Sequence, residues 1–211
     1  MHTLYGSQGS GSAAIEMALR ACGLPYRVVR ASTWEPDSAL EELGRVNPLR
    51  QIPTLCLPGG QVLTESVAIL LHLGLTEPQG ELLPTEPQAR AQAMRALVFI
   101  AANCYAAISV GDYPERWTTA TTRPAQAKVR QAARQRLHEH WEVFADTFDR
   151  RPYLSGAVPG ALDFLAVVVT HWSGTRAHLA AARPRFARTL ARIEAHARVR
   201  PVMREHWPEA G

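Results

Sequence analysis

A chain of 211 residues with 46% hydrophobic content and a net charge of +4 is long enough for one large domain or two small ones with real cores. No apolar run reaches the ~18–20 residues of a membrane span, and Met1-His2-Thr3-Leu4-Tyr5 lacks the basic-then-apolar order of a signal peptide, so a cytoplasmic protein with no membrane partner is expected. The basic charge is almost all arginine, much of it between Arg176 and Arg204, with no interleaved stacking aromatics; it reads as a solvated helix face and speaks against a nucleic-acid partner.

Residues 1–78 alternate strand and helix signals. Thr3-Leu4-Tyr5-Gly6 reads as a short strand. Residues 13–22 carry Ile15, Ala18, Leu19 and Cys22 at helical spacing, and Gly23 with Pro25 ends that helix. Tyr26-Arg27-Val28-Val29 is a second strand, and residues 35–45 a weaker helix. Residues 54–57 and 61–64 flank Pro58-Gly59-Gly60, a hairpin signal, and residues 66–73 form a third helix. The order is βαβαββα. Residues 79–85 are a linker bearing Gly80 and Pro84. From 86 to 211 the pattern is helical only, with apolar residues three and four apart in 88–110, 124–148, 161–172 and 185–197. A small α/β domain beside an all-α domain is therefore expected.

Cys22, Cys56 and Cys104 are widely spaced, with no C-x-x-C, and read as small buried hydrophobes. The histidines show no metal-binding spacing; His138 and His140, two apart, do not share a helix face. No metal site is expected.

Two features carry chemistry. The first is Gln51-Ile52-Pro53-Thr54-Leu55, followed by Thr64-Glu65-Ser66. Proline inside a strand-like run belongs at the strand's start or edge. A cis bond at Pro53 turns the Ile52 backbone outward, where its N–H and C=O can pair with a peptide-like ligand. Glu65-Ser66 opens a helix, and a helix start is an anion site. The pair suggests a groove for a small peptide with a free carboxylate.

The second feature is the loop Gly6-Ser7-Gln8-Gly9-Ser10-Gly11-Ser12 between the first strand and first helix. Read literally, Gly9-x-Gly11-x-x-Ala14, with Arg30 at the end of the next strand, matches a dinucleotide fingerprint, but the third strand runs into a hairpin where a Rossmann sheet needs further βα units. The alternative is a hydroxyl at a helix N-terminus stabilising an anion. The dipole supplies roughly 0.3–2 kcal/mol and a hydrogen bond to a charged group roughly 1.5–3 kcal/mol. Together they lower a bound thiol by roughly two pH units from its usual value near ~8.5. Ser10 and Ser12 also fit as simple helix caps.

These residues resemble the cytosolic glutathione transferases over nearly the whole chain. The resemblance runs through the strand-loop-helix opening, Asn47-Pro48-Leu49-Arg50-Gln51-Ile52-Pro53, Thr64-Glu65-Ser66, Leu82-Leu83-Pro84 and Tyr153-Leu154-x-Gly156. It implies a thioredoxin-like domain packed on a helical domain, usually as a homodimer. It further implies that glutathione is held by the Ile52 main chain beside a cis-Pro53, that Glu65 and Ser66 bind its γ-glutamyl end, and that Gln51 contacts its glycyl carboxylate. Bacterial beta-class members carry a cysteine at the slot aligned with Gly11, so serine-type chemistry fits better here, with Ser10 first, Ser12 second and Tyr5 third as activating residue. Tyr105 falls near a beta-class histidine facing the site, and Tyr113, Arg116 and Trp117 are placed to line an apolar second-substrate pocket. The implied activity is transfer of glutathione to a small apolar electrophile. A glutathione-binding or partner-docking protein without turnover, and a glutathione-dependent disulfide or peroxide reductase, are the alternatives.

Overall fold

The computed structural model describes residues 1–208. Strands β1 (His2–Gly6), β2 (Tyr26–Arg30), β3 (Thr54–Cys56) and β4 (Val62–Thr64) form one sheet in the order β2-β1-β3-β4. β1 pairs with β2 in parallel, Leu4 opposite Val28, and with β3 antiparallel, Leu4 opposite Leu55; β3 and β4 close the hairpin with Leu55 opposite Leu63. Helices α1 (Ser12–Ala21), α2 (Leu40–Val46) and α3 (Ser66–Thr76) complete a thioredoxin-like βαβαββα unit. The antiparallel hairpin leaves no third parallel strand for a dinucleotide fold.

α1 ends as its sequence requires. Gly23 takes φ +67, which costs glycine little, and the Gly23 and Leu24 amides donate to the Arg20 and Leu19 carbonyls. α2 is shorter than the spacing predicts. Pro36 and Asp37 (φ +58) hold the preceding residues in a loop, where the Ser38 hydroxyl donates to the Ser32 carbonyl and the Ser32 hydroxyl to Glu35. Local polar side chains out-compete the helix there.

The second half is helical: α4 (Pro87–Phe99), a π-helical stretch (Ile100–Tyr105), α5 (Ala106–Asp112), α6 (Arg123–Phe148), α7 (Ala161–Val169), α8 (Thr175–Ala182), α9 (Pro184–Ala195) and α10 (Arg200–His206). The pattern over 88–110 predicts one regular helix; the structure inserts the π stretch inside it. Contrary to the sequence count, the continuous helical run Pro87–Asp112 is long and apolar enough by composition to cross a membrane, with mean hydropathy 1.6 over its most apolar part. Its alanines read as helix formers rather than as a span. In the fold, α4 packs on α7 and α5 on α6.

Every residue of α7 is buried. One continuous core joins the two halves, with Leu4, Ile15 and Leu70 on one side and Trp141, Phe144 and Phe164 on the other. Four of the eight arginines between 176 and 204 are engaged in ion pairs: Arg176 with Glu194, Arg183 with Asp146, Arg185 with Asp149 and Arg198 with Glu81.

Candidate functional site

The turn before β3 is built by buried Asn47. Its amide nitrogen donates to the Gln51 carbonyl (3.1 Å) and the Thr54 hydroxyl (2.9 Å), and its amide oxygen accepts from the Leu49 N–H. Thr54 also donates to the Gln51 carbonyl. This bracing fixes residues 47–54 and leaves the Gln51 side chain exposed. The Ile52-Pro53 peptide is cis, and the Ile52 N–H and C=O pair with no group among the described residues.

Glu65 stands at the N-cap of α3 with φ +63. A non-glycine residue held there costs of order 1–3 kcal/mol and marks a place where function is the first explanation to seek. The strained turn exposes the Glu65 side chain, and the first amides of α3, beginning at Ser66, have no acceptor within their own helix. With eleven residues behind it, that helix start can hold a carboxylate.

The glycine loop is arranged differently from what its sequence suggests. Ser12 is completely buried; its hydroxyl donates to the Ser7 carbonyl and accepts from the Ser7 N–H. Ser10 is also buried, accepts from the Ser12 and Ser7 amides, and shares a 2.9 Å hydrogen bond with the Ser12 hydroxyl. Both hydroxyls are spent inside the loop. Ser10 fits the helix-cap alternative, accepting from the Ser12 amide at the start of α1, whereas Ser12 caps nothing; both hydroxyls expected as activating groups are engaged in bonds within the loop. The reason is the bare Cα of Gly6, whose would-be Cβ would sit 2.5 Å from the Ser12 side chain. The space it leaves draws Ser12 inward.

Tyr5 is likewise removed from this role. Its hydroxyl donates to Glu42 on α2 at 2.8 Å, and burial together with that carboxylate pushes its pKa up to about 12. A tyrosine that holds its proton more tightly folded than unfolded contributes stability that is intact below its ordinary pKa and lost as pH rises through the folded one. Between pH ~10 and ~12 the protein is expected to lose stability from this source. Tyr5→Phe removes that part of the slope in alkaline urea titrations; an unchanged slope would refute the assignment.

Tyr105, the last residue of the π stretch, reaches across to the loop instead of lining a remote pocket. Its hydroxyl oxygen lies 2.3 Å from where a Cβ on Gly11 would stand, and Pro53 Cδ lies 3.6 Å from the same point. The Ser66 hydroxyl flanks the phenol, whose pKa burial raises well above the tyrosine range. Thus Gly11, Pro53, Ser66 and Tyr105 meet in one place. The π stretch is held by His140 of α6, whose Nδ1 must donate to the Asn103 carbonyl (3.1 Å), since a carbonyl only accepts. Such stretches are frequent at functional sites, because one extra residue re-aims those beyond it.

Tyr113, Arg116 and Trp117 are not brought to this point. They follow the end of α5 at Asp112, itself about 10 Å along the helix from Tyr105 by helical rise. Arg116 stacks over the Tyr113 ring at 4.1 Å, and Trp117 is 58% exposed rather than packed beneath the loop.

The sequence reading missed the residues that brace the loop from the helical half. Trp172 Nε1 donates to the Gly9 carbonyl (3.2 Å) while its ring meets Tyr105 edge-on at 5.7 Å. His206 Nδ1 accepts the Gly9 N–H (3.1 Å), so its Nε2 carries the proton shared with buried Glu16 at 2.7 Å. One signal was available. Glu16 lies within a helix whose neighbours are all core residues, and a buried carboxylate demands a partner.

Comparison with known proteins agrees with this fold. The family model described as "Glutathione S-transferase, N-terminal domain" matches residues 12–75. The GST-like protein YncG of Escherichia coli K12, itself uncharacterized, is 38% identical over 130 residues, 61% of this chain and 62% of that protein. A probable maleylacetoacetate isomerase of Caenorhabditis elegans is 35% identical over 101 residues, 48% of this chain and 45% of its own. The matches thus span less than two thirds of these relatives. A glutathione transferase homologue from Sulfitobacter, solved with bound glutathione, superposes with a TM-score of 0.82 at 25% identity over 96% of each chain.

Residues 12–75 thus match the glutathione S-transferase N-terminal domain, and the chain as a whole takes the fold of a glutathione transferase homologue.

The three cysteines are held as thiols. Burial raises the Cys22 thiol to about 11, raises Cys56, and raises Cys104 further still. Such thiols are poor nucleophiles. No group of three metal-ligating side chains occurs among the described residues.

Proposed function

We propose that the protein binds glutathione in the groove between residues 51–53 and 65–66 and holds it as thiolate for attack on a small apolar electrophile. The observation that carries this reading is the unpaired Ile52 backbone beside cis-Pro53, set against the starts of α1 and α3. The Ile52 main chain pairs with the cysteinyl backbone. Glu65 takes the γ-glutamyl ammonium and Ser66, with the α3 amides, its carboxylate; Gln51 reaches the glycyl end. The thiol proton leaves to water, and the sulfur, placed at the N-terminus of α1, forms the new bond to carbon while the bond from that carbon to its leaving group breaks, the electron pair departing with the leaving group as an anion such as halide. Catalysis is then orientation and anion stabilisation. A homodimer is the assembly in which this groove operates.

The second reading is glutathione-dependent reduction of a disulfide or peroxide in which two glutathiones supply the thiols; the raised Cys22, Cys56 and Cys104 pKa values leave that role to glutathione, and activity that survives loss of all three cysteines would support it. Calorimetric titration of glutathione tests the groove. Ser66→Ala and Glu65→Ala are each expected to weaken binding about 10- to 100-fold, the range of one lost hydrogen bond to a charged group. Wild-type affinity in both variants would sink the groove. A bound thiol that titrates like free glutathione would sink the activation.

A further inference from the structure

We infer that the Tyr105 phenol is the group that donates a hydrogen bond to the glutathione sulfur, filling from the helical half the role expected of a side chain in the glycine loop. The inference rests on the glutathione reading above and names its thiol-activating residue.

Gly11 is the first ground. Its φ of −60 and ψ of −15 are helical, so any residue fits the backbone there. Conformation does not explain a glycine at this position; space does. The Tyr105 oxygen stands 2.3 Å from the position of a Cβ at Gly11, within the volume that a side chain at position 11 would enter. A hydroxyl from one half of the molecule has taken the place of a side chain from the other.

The neighbourhood of that oxygen is the second ground. Pro53 Cδ is 3.6 Å from the same point and Ser66 flanks the phenol, so the oxygen lies among the three elements that would hold the tripeptide. With the cysteinyl backbone on Ile52 and the γ-glutamyl end at Ser66, the thiol projects toward the start of α1, where Gly11 is the N-cap residue. The phenol and the α1 amides then face the sulfur together. The loop's own hydroxyls, on Ser10 and Ser12, are bonded internally.

The third ground is how the ring is held. The π stretch ends on Tyr105, His140 ties that stretch through the Asn103 carbonyl, and Trp172 packs edge-on against the ring while bonding Gly9. The donor is thus positioned before any ligand arrives. Burial keeps the phenol protonated at neutral pH, as a donor to a thiolate must be. No covalent step involves Tyr105; it gives one hydrogen bond to the sulfur, and the thiol proton passes to water.

The test is Tyr105→Phe, which keeps the ring and removes the oxygen. Ultraviolet titration of thiolate absorbance in the glutathione complex is expected to show the bound-thiol pKa rising by about one to two. Turnover of an aryl halide at neutral pH should fall about 10- to 100-fold through kcat, with glutathione affinity within about threefold of wild type. Gly11→Ala is the second variant. Its methyl group must displace the phenol, so it should raise the bound-thiol pKa likewise, and combining the two changes should add nothing further. Unchanged thiol pKa and kcat in folded Tyr105→Phe, or an unchanged thiol pKa in Gly11→Ala, would overturn the inference while leaving the glutathione reading intact. A wild-type protein that binds no glutathione would overturn both.

Discussion

Asp163→Ala should cost about 3–5 kcal/mol of folding stability, a large part of what a domain of this size possesses. Asp163 is fully buried at the first turn of α7, and its carboxylate accepts from the Leu154 amide (2.8 Å), the Ser155 amide (2.9 Å) and the Gly160 amide (3.1 Å). Burial pushes its pKa up, while the Ser155, Gly160 and Leu154 donors pull it back down. Alanine leaves all three amides without an acceptor inside the core, and each orphaned donor costs roughly 1–3 kcal/mol before relaxation. The site cannot simply collapse, because α7 packs against α1, α4 and α9 and every one of its residues is buried. Asp163→Asn keeps one acceptor oxygen and should fall between wild type and alanine. Urea unfolding of the three proteins checks the order; a loss below ~1 kcal/mol in the alanine variant would show that water replaces the carboxylate at little cost.

The Gly160–Asp163 half of this device was legible in the sequence, because it needs only an acidic residue three positions into a helix. The Leu154 and Ser155 donors were not, since the 150–160 segment has no period that places it. The same contrast runs through the site. Pro53, Glu65 and Ser66 stood out because each breaks a local rule: a proline at a strand's edge, and a polar pair opening an apolar helix. Ser10 and Ser12 break none, and a glycine-rich loop leaves the direction of its hydroxyls to tertiary packing, here to the vacancy at Gly6. Tyr105 lay hidden for a different reason. Its approach to Gly11 depends on a π stretch that helical periodicity counts as regular helix, and on a contact between residues 94 positions apart. The last helix, α10, is short and arginine-bearing with a proline in its first turn, too brief for a periodic signal, although it supplies His206.

That hidden helix gives the remaining large effect. Glu16→Ala should cost about 3–5 kcal/mol, the range for removing one partner of a buried polar pair, and should loosen the glycine loop at the same time. Glu16 and His206 are both less than 10% exposed, and their 2.7 Å contact is joined by the Tyr26 hydroxyl, which donates to the other Glu16 oxygen at 3.3 Å. On the far side of the same imidazole, Nδ1 accepts the Gly9 N–H. The Glu16 carboxylate fixes which nitrogen carries the proton, and that tautomer leaves Nδ1 free to accept from the loop. Gln8 adds a second tie, its side chain donating to the Glu205 carbonyl, and Arg20 holds the Glu205 carboxylate. Alanine at 16 leaves the imidazole N–H without its acceptor, takes away the acceptor of the Tyr26 O–H, which still accepts from Arg20 Nε, and lets the ring choose either tautomer. Glu16→Gln retains an acceptor for Nε2–H and should cost less, about 1–2 kcal/mol. Amide hydrogen exchange reads the coupling directly: the Gly9 amide should lose protection in Glu16→Ala and largely keep it in Glu16→Gln. In a double-mutant cycle with His206→Ala, the two residues should couple by more than ~1 kcal/mol. Additivity within ~0.5 kcal/mol, with Gly9 protection unchanged, would mean that the pair packs beside the loop without holding it.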